Sequence, residues 1–263
     1  MISFDNKLSV LLQEINRLNR VSSQTSWRDI IPLIDLTMLD SHATPQAIYD
    51  LSIKGMQNDV AAICVFPEHL DDIDPNINLK RATVINFPTG SQPQHQLLES
   101  IEHTVAAKKV DEIDYVFPYQ DYLAGKQHEA LENCHDLFLL CKQHELTFKV
   151  IIETGALPSN QLIYELSLEI INSGCDFLKT STGKIAMGAT VPAAFSMLSA
   201  IIDSQSVCGL KVSGGIKTPE QALSYMRLAQ HMLNRPLNNA WFRIGASSLL
   251  DDLIIAQRNL SKS

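Results

Sequence analysis

Short apolar runs recur along the chain, each followed by a polar turn and then by a stretch in which apolar residues return every three or four positions. The runs are Ile31 to Leu36, Val60 to Phe66, Ala82 to Phe87, Asp111 to Phe117, Phe148 to Thr154, Cys175 to Ser181, Val207 to Ser213 and Trp241 to Ala246. They predict eight β-strands. Between them lie helical patterns such as Leu97, Leu98, Ile101 and Val105, or Leu137, Leu140, Cys141 and His144. Strands alternating with helices predict a parallel sheet, because parallel neighbours need crossover connections. Eight such units in 263 residues predict one closed (β/α)8 barrel of the TIM type, residues 1–263 forming a single domain. A doubly wound open sheet would place a glycine-rich turn after its first strand, and the segment LTMLDSHAT that closes the first run contains no glycine. Leu8, Leu11, Leu12, Ile15 and Leu18 predict an amphipathic helix within an N-terminal extension, residues 1–27, expected to cap the bottom of the barrel or to join an interface.

Composition narrows the class without changing the fold. An apolar fraction of 45% and a charged fraction of 19% are those of a soluble globular chain. A formal net charge of -8 argues against a broad hold on nucleic acid or on an anionic membrane surface, both of which need a basic face. An anionic substrate must therefore be held locally. The five cysteines are an odd number without a CxxC pair, as expected for reduced thiols in the cytoplasm. Glu14, Arg17 and Arg20 interrupt the first helical pattern, so it does not resemble a signal peptide, and no apolar run reaches the roughly 18 residues of a membrane span.

In an eight-stranded barrel the working residues sit at the C-terminal ends of the strands. Charged residues inside apolar runs near those ends are Asp35, Asp114, Lys179 and Lys211. Period-two alternation places Asp35 with Leu33, Lys179 with Phe177 and Cys175, and Lys211 with Gly209. If that face points inward, two lysines and two carboxylates meet, with Lys149 as a third ammonium lower down. A single strand lysine is more often outward-facing or part of a buried ion-pair network, since unpaired buried charge is rare. Two on adjacent strands point to chemistry, because a neighbouring cation disfavours protonation and yields a nucleophilic amine, as a Schiff-base enzyme requires. The residues alone do not say which lysine is the nucleophile.

A second constellation fits an anion. Thr182, Gly183 and Lys184 follow the sixth run, Gly214, Gly215, Ile216 and Lys217 the seventh, and Gly245, Ser247 and Ser248 the eighth. Glycines let backbone N–H groups approach a phosphate, and a helix beginning at Ser247 or Ser248 would aim its positive end there. Loops after the seventh and eighth strands are the usual phosphate site of this fold.

The segments LIDLTML, EIDYVFPY, KVIIETG, FLKTSTGK, GLKVSGGIKT and RIGASSLL resemble, in order along nearly the whole chain from Asp35 to Leu250, the signature segments of the deoxyribose-phosphate aldolase family. The resemblance implies a carbon–carbon lyase that reversibly cleaves 2-deoxy-D-ribose 5-phosphate into acetaldehyde and D-glyceraldehyde 3-phosphate. It implies Lys179 as the Schiff-base lysine, Lys211 as the lysine that perturbs it and Asp114 as the proton-transfer carboxylate, without a metal or other cofactor. It also implies small-molecule partners and a homodimer. Three positions depart from the family pattern: Val212 and Ser213 stand where proline and alanine are common, and Lys217 where arginine is common. Lysine keeps the charge but loses the planar fork. Some family members end in a tyrosine that assists proton transfer; this sequence ends QRNLSKS.

Other readings are weighed on their own residues. A metal site would need ligands at defined spacing, and Cys134, His135, Cys141 and His144 offer one helical stretch without a second ligand pair. Cys64 lies in a strand, as a core thiol or a reactive one beside the pocket. The rival functions are another Schiff-base sugar-phosphate aldolase or transaldolase, and a barrel that binds a sugar phosphate without catalysis.

Overall fold

The computed structural model of the protein describes residues 4–19, 27–106 and 110–260. After the helix α1 (Phe4–Asn19), the strands β1 (Ile34–Met38), β2 (Ala62–Val65), β3 (Lys80–Ile85), β4 (Glu112–Val116), β5 (Thr147–Ile151), β6 (Phe177–Lys179), β7 (Gly209–Ser213) and β8 (Phe242–Ala246) pair in sequence order and close on themselves. Each pairing is parallel, β8 on β1 included. The expected (β/α)8 barrel is the observed one. The helices between and after the strands are α2 (Pro45–Gln57), α3 (Gln94–Ala106), α4 (Tyr119–Leu123), α5 (Gln127–Gln143), α6 (Asn160–Ser173), α7 (Val191–Asp203), α8 (Pro219–Leu233) and α9 (Leu249–Leu260).

Several helix starts are written in the sequence. Thr44, Ser159, Thr190 and Thr218 each accept a backbone N–H from three residues on, capping α2, α6, α7 and α8. Such a cap contributes about 1 kcal/mol. At α8 it is reciprocal, with the Gln221 side chain bonding back to the Thr218 N–H at 3.1 Å. The helices bury an apolar face, as α6 does with Ile163, Leu166 and Ile170.

Most strands differ from the sequence pattern by a residue or more at one end, and β1, β3 and β6 show why. Ile31–Leu33 forms a single 3-10 turn, and β1 begins at Ile34, because Pro32 has no N–H to give to a ladder. β3 begins earlier than expected, at Lys80, whose neighbour Arg81 pairs with Ile63. β6 is short because Thr180 and Ser181 already belong to the loop above it. The predicted N-terminal helix exists, with Leu8 buried and α1 packed against α8. Residues 1–3 and 20–26 of that extension, and 261–263 of the C-terminal segment, lie outside the described residues. Among the described residues no helix is long and apolar enough to cross a membrane.

Candidate active site

Barrel interiors are ordinarily filled with layers of branched apolar side chains. Here charged residues take that place. Lys179 and Lys211 are register partners across β6 and β7, and Lys211 and Arg243 across β7 and β8. Asp114 and Lys149 are partners across β4 and β5. Small residues leave the room these long side chains need. A Cβ on Gly209 would come within 2.5 Å of the Phe177 ring, and one on Gly245 would lie 3.2 Å from Lys211 Cε.

Asp114 is the centre of the network. Its Oδ2 accepts from Lys179 Nζ at 2.8 Å and from Lys211 Nζ at 2.7 Å, and its Oδ1 accepts from Lys149 Nζ at 2.8 Å. Lys211 also lies 2.5 Å from Asp35 Oδ2, and Lys149 lies 2.5 Å from Glu112 Oε2. Arg243 closes the lower side, 2.6 Å from Asp35 Oδ1 and 3.1 Å from Glu112 Oε1. The group therefore holds four cationic side chains against three carboxylates. The sequence reading named two lysines and two carboxylates with a third lysine below; it missed Glu112 and Arg243. Both obey the same period-two rule, Glu112 two residues before Asp114 and Arg243 two before Gly245.

Electrostatics separates the lysines. Burial lowers the affinity of each ammonium for its proton. For Lys211, Asp114 and Asp35 overcome burial and raise the pKa above the usual lysine value. For Lys149, Asp114 and Glu112 do the same. Lys179 has one carboxylate, already shared, so burial prevails, aided by repulsion from Lys211, and its pKa is lowered. Repulsion by the neighbouring cation, expected from the sequence, is thus the smaller cause and burial the larger one. Burial would raise the carboxyl groups of Asp114 and Asp35, but the surrounding cations hold both below the usual carboxylate range. A neutral Lys179 leaves three cations against three anions.

Above the network opens a cavity of about 430 Å³ at the C-terminal ends of the strands. Lys179 lines it. Lys211, Lys149, Asp114 and Asp35 are fully buried beneath, and none is among the residues lining the cavity. Cys64, considered beside the pocket, is also fully buried and outside that lining, its thiol pushed up by burial.

The three expected anion loops converge. Thr182, Gly183 and Lys184, Gly214 to Lys217, and Gly245, Ser247 and Ser248 all line this cavity. Gly214 and Gly215 take φ values of +87° and +81°, left-handed backbone in which successive N–H groups can converge on an anion. A Cβ on Gly188 would come within 2.3 Å of Gly214 O, so the loops after β6 and β7 are in backbone contact. Ser213 adds a tie, its hydroxyl donating to Ser181 O at 2.6 Å. An alanine there would lack it. Lys184 Nζ donates to Leu39 O at 2.6 Å, fixing its ammonium at the rim. The last helix begins at Leu249, directly after Ser247 and Ser248. Thr37, Met38, Leu39 and Asp40, at and after the end of β1, form the rest of the rim and were not anticipated.

The helical Cys134, His135, Cys141 and His144 do not converge. Both thiols are buried, whereas His135 bonds Ser173 O and His144 lies 3.5 Å from Glu102. Among the described residues no group of three or more His, Cys, Asp or Glu is placed to hold a metal ion.

Comparison with known proteins gives a consistent result. The model of the DeoC/LacD family aldolases matches residues 31–253. A deoxyribose-phosphate aldolase of Agrobacterium fabrum (strain C58 / ATCC 33970) is 38% identical over 232 residues, covering 85% of this chain and 88% of the relative. Among solved structures, the deoxyribose phosphate aldolase of Aeropyrum pernix, described as a tetramer, superposes with a TM-score of 0.75 at 22% identity over 89% of this chain and 93% of its own. QR15, an aldolase, superposes with a TM-score of 0.76 at 24% identity over 89% and 99%. At those identities the solved structures speak for the fold.

Proposed function

The chain belongs to the DeoC/LacD family of aldolases, and we propose that it is a Schiff-base deoxyribose-phosphate aldolase in which Lys179 forms the covalent intermediate. The observation that carries the assignment of Lys179 is its double distinction within the network. Alone among the four cations there, it lines the cavity, and alone its pKa is lowered.

The Lys179 amine attacks the C1 aldehyde of open-chain 2-deoxyribose 5-phosphate, forming a carbinolamine. Loss of water leaves an iminium, which draws electrons from the C2–C3 bond. The C3 hydroxyl gives up its proton as that bond breaks, releasing D-glyceraldehyde 3-phosphate and leaving an enamine on Lys179. Protonation at C2 and hydrolysis free acetaldehyde and restore the amine. Asp114 Oδ2 touches both Lys179 and Lys211, so a proton can pass between the amines across one oxygen. Asp35 holds Lys211 and Arg243, fixing Lys211 in its charged form. The iminium is the electron sink, so the cycle needs no metal ion.

The phosphate sits, on this reading, among the loops after β6, β7 and β8, where the Gly214–Gly215 backbone and Lys217 face the cavity. We place the enzyme in the cytoplasm, in keeping with five unpaired thiols. We also retain the homodimer as its assembly. Release of acetaldehyde from 2-deoxyribose 5-phosphate, followed by borohydride trapping of the acetaldehyde adduct, tests the assignment. Turnover of a different sugar phosphate in its place would move the enzyme elsewhere among Schiff-base aldolases, and binding without turnover would make it a sugar-phosphate receptor.

A further inference from the structure

Glu153 follows β5 and takes part in none of the steps above. Its side chain is fully buried, and its backbone is left-handed at φ +51°. Neither is an ordinary state for a glutamate, since asparagine or glycine adopts that backbone with less strain and carboxylates are rarely buried without partners. Such features persist where the surrounding structure needs the side chain in one place.

What that side chain does is hold Thr182. Glu153 Oε2 accepts the Thr182 hydroxyl proton at 2.5 Å, and the Thr182 N–H lies 3.3 Å from Oε1 and 3.4 Å from Oε2. The Thr182 hydroxyl oxygen accepts in turn from the Lys184 N–H at 3.0 Å. Two backbone bonds flank this clamp: Ile152 N–H to Lys179 O at 3.0 Å and Thr154 N–H to Thr180 O at 2.8 Å. Glu153 is thus fastened to the stretch that leads from Lys179 into the cavity wall. Thr182, Gly183 and Lys184 form that wall, with Gly183 left-handed at φ +76°. Burial pushes the Glu153 carboxyl up despite the Thr182 bonds and the charge of Lys179, so the group is kept inside at a cost.

We propose that Glu153 is a positioning residue for the aldolase reaction: by clamping Thr182 from the β5 side, it sets the wall of the cavity that meets the phosphate-bearing part of the substrate. The inference rests on the function proposed above. Glu153 acts through Thr182, on the end of the substrate remote from Lys179, so it bears on binding of the phosphorylated substrate more than on attack at the aldehyde.

The test is a set of three variants, Glu153→Gln, Thr182→Val and the double variant, each assayed on 2-deoxyribose 5-phosphate, on unphosphorylated deoxyribose and by acetaldehyde trapping with borohydride. Glutamine keeps the size but cannot accept both Thr182 protons in the same way. Loss of a charge-assisted bond should raise KM for the phosphorylated substrate about tenfold. The unphosphorylated sugar should suffer less, and trapping on Lys179 should slow less than cleavage of the phosphorylated sugar. Because both residues act through one bond, the double variant should be no worse than the poorer single one. An unchanged KM, losses that add, or trapping that falls in step with cleavage would overturn the proposal. If Glu153→Gln does not fold, Thr182→Val reports on the same bond from its other end, with the same selective loss expected and an unchanged KM again overturning it. An unmodified enzyme that releases no acetaldehyde would instead overturn the function beneath the proposal.

Discussion

Lys179 and Lys211 donate to the same oxygen, Oδ2 of Asp114, at 2.8 and 2.7 Å. They face each other across neighbouring strands, yet their surroundings differ by one carboxylate: Lys211 also holds Asp35, and Lys179 does not. That difference keeps Lys211 protonated and leaves Lys179 free to lose its proton.

A pH dependence follows from it. The neutral amine is the attacking form, and burial with Lys211 lowers the Lys179 pKa. The rate of imine formation should therefore rise with pH and level off below about 10.4, the value of an unperturbed lysine. Lys211→Leu removes the repelling cation and leaves Asp114 more fully to Lys179, so the midpoint should move to higher pH. A rate profile of borohydride trapping measures this directly; a midpoint unmoved by the substitution would show that Lys211 does not tune Lys179.

Arg243 is 5% exposed and joins two buried carboxylates, Asp35 and Glu112. Arg243→Met should leave Asp35 to Lys211 and Glu112 to Lys149 with part of their counter-charge gone, and destabilise the barrel by about 3 kcal/mol. Urea unfolding checks it. A loss below about 1 kcal/mol, the range of exposed pairs, would mean that the lower half of the network is solvated in solution.

Lys217 and Ser247 line the cavity among the glycine loops. Binding energy from the phosphate is remote from the breaking bond, so Lys217→Ala and Ser247→Ala should reduce kcat/KM for 2-deoxyribose 5-phosphate by about tenfold or more. Unphosphorylated deoxyribose should be nearly indifferent to either change. Equal losses on both substrates would place the phosphate elsewhere.

Because the iminium supplies the electron sink, exhaustive chelation should leave turnover unchanged. Activity lost on chelation and regained with added zinc would point to a metal-dependent aldolase instead.

Much of the site was legible because barrel chemistry concentrates at strand ends, where a charge inside an apolar run stands out. Asp35, Asp114, Lys179 and Lys211 were found in that way, and the glycines after the last three strands marked the cavity wall. Glu112 and Arg243 follow the same alternation but lie lower on their strands, where a charge reads as one at the barrel's solvated end. Glu153 was hidden for a different reason: KVIIET reads as uninterrupted strand, and a left-handed turn at a glutamate leaves no mark in the sequence. The limit of β1 moved because the apolar pattern from Ile31 to Leu36 outweighed Pro32, whose missing N–H begins the chain there as a turn. The residues alone left the choice between Lys179 and Lys211 open and the family resemblance implied Lys179; the number of carboxylates each lysine touches, which only three dimensions reveal, supports that choice.

The central claim, that Lys179 carries the intermediate, is tested most directly by treating the enzyme with acetaldehyde and borohydride and mapping the reduced adduct by mass spectrometry of its peptides. The account predicts a two-carbon adduct on Lys179, absent in Lys179→Leu and formed more slowly, still on Lys179, in Lys211→Leu. An adduct on Lys211 of the unmodified enzyme would contradict it.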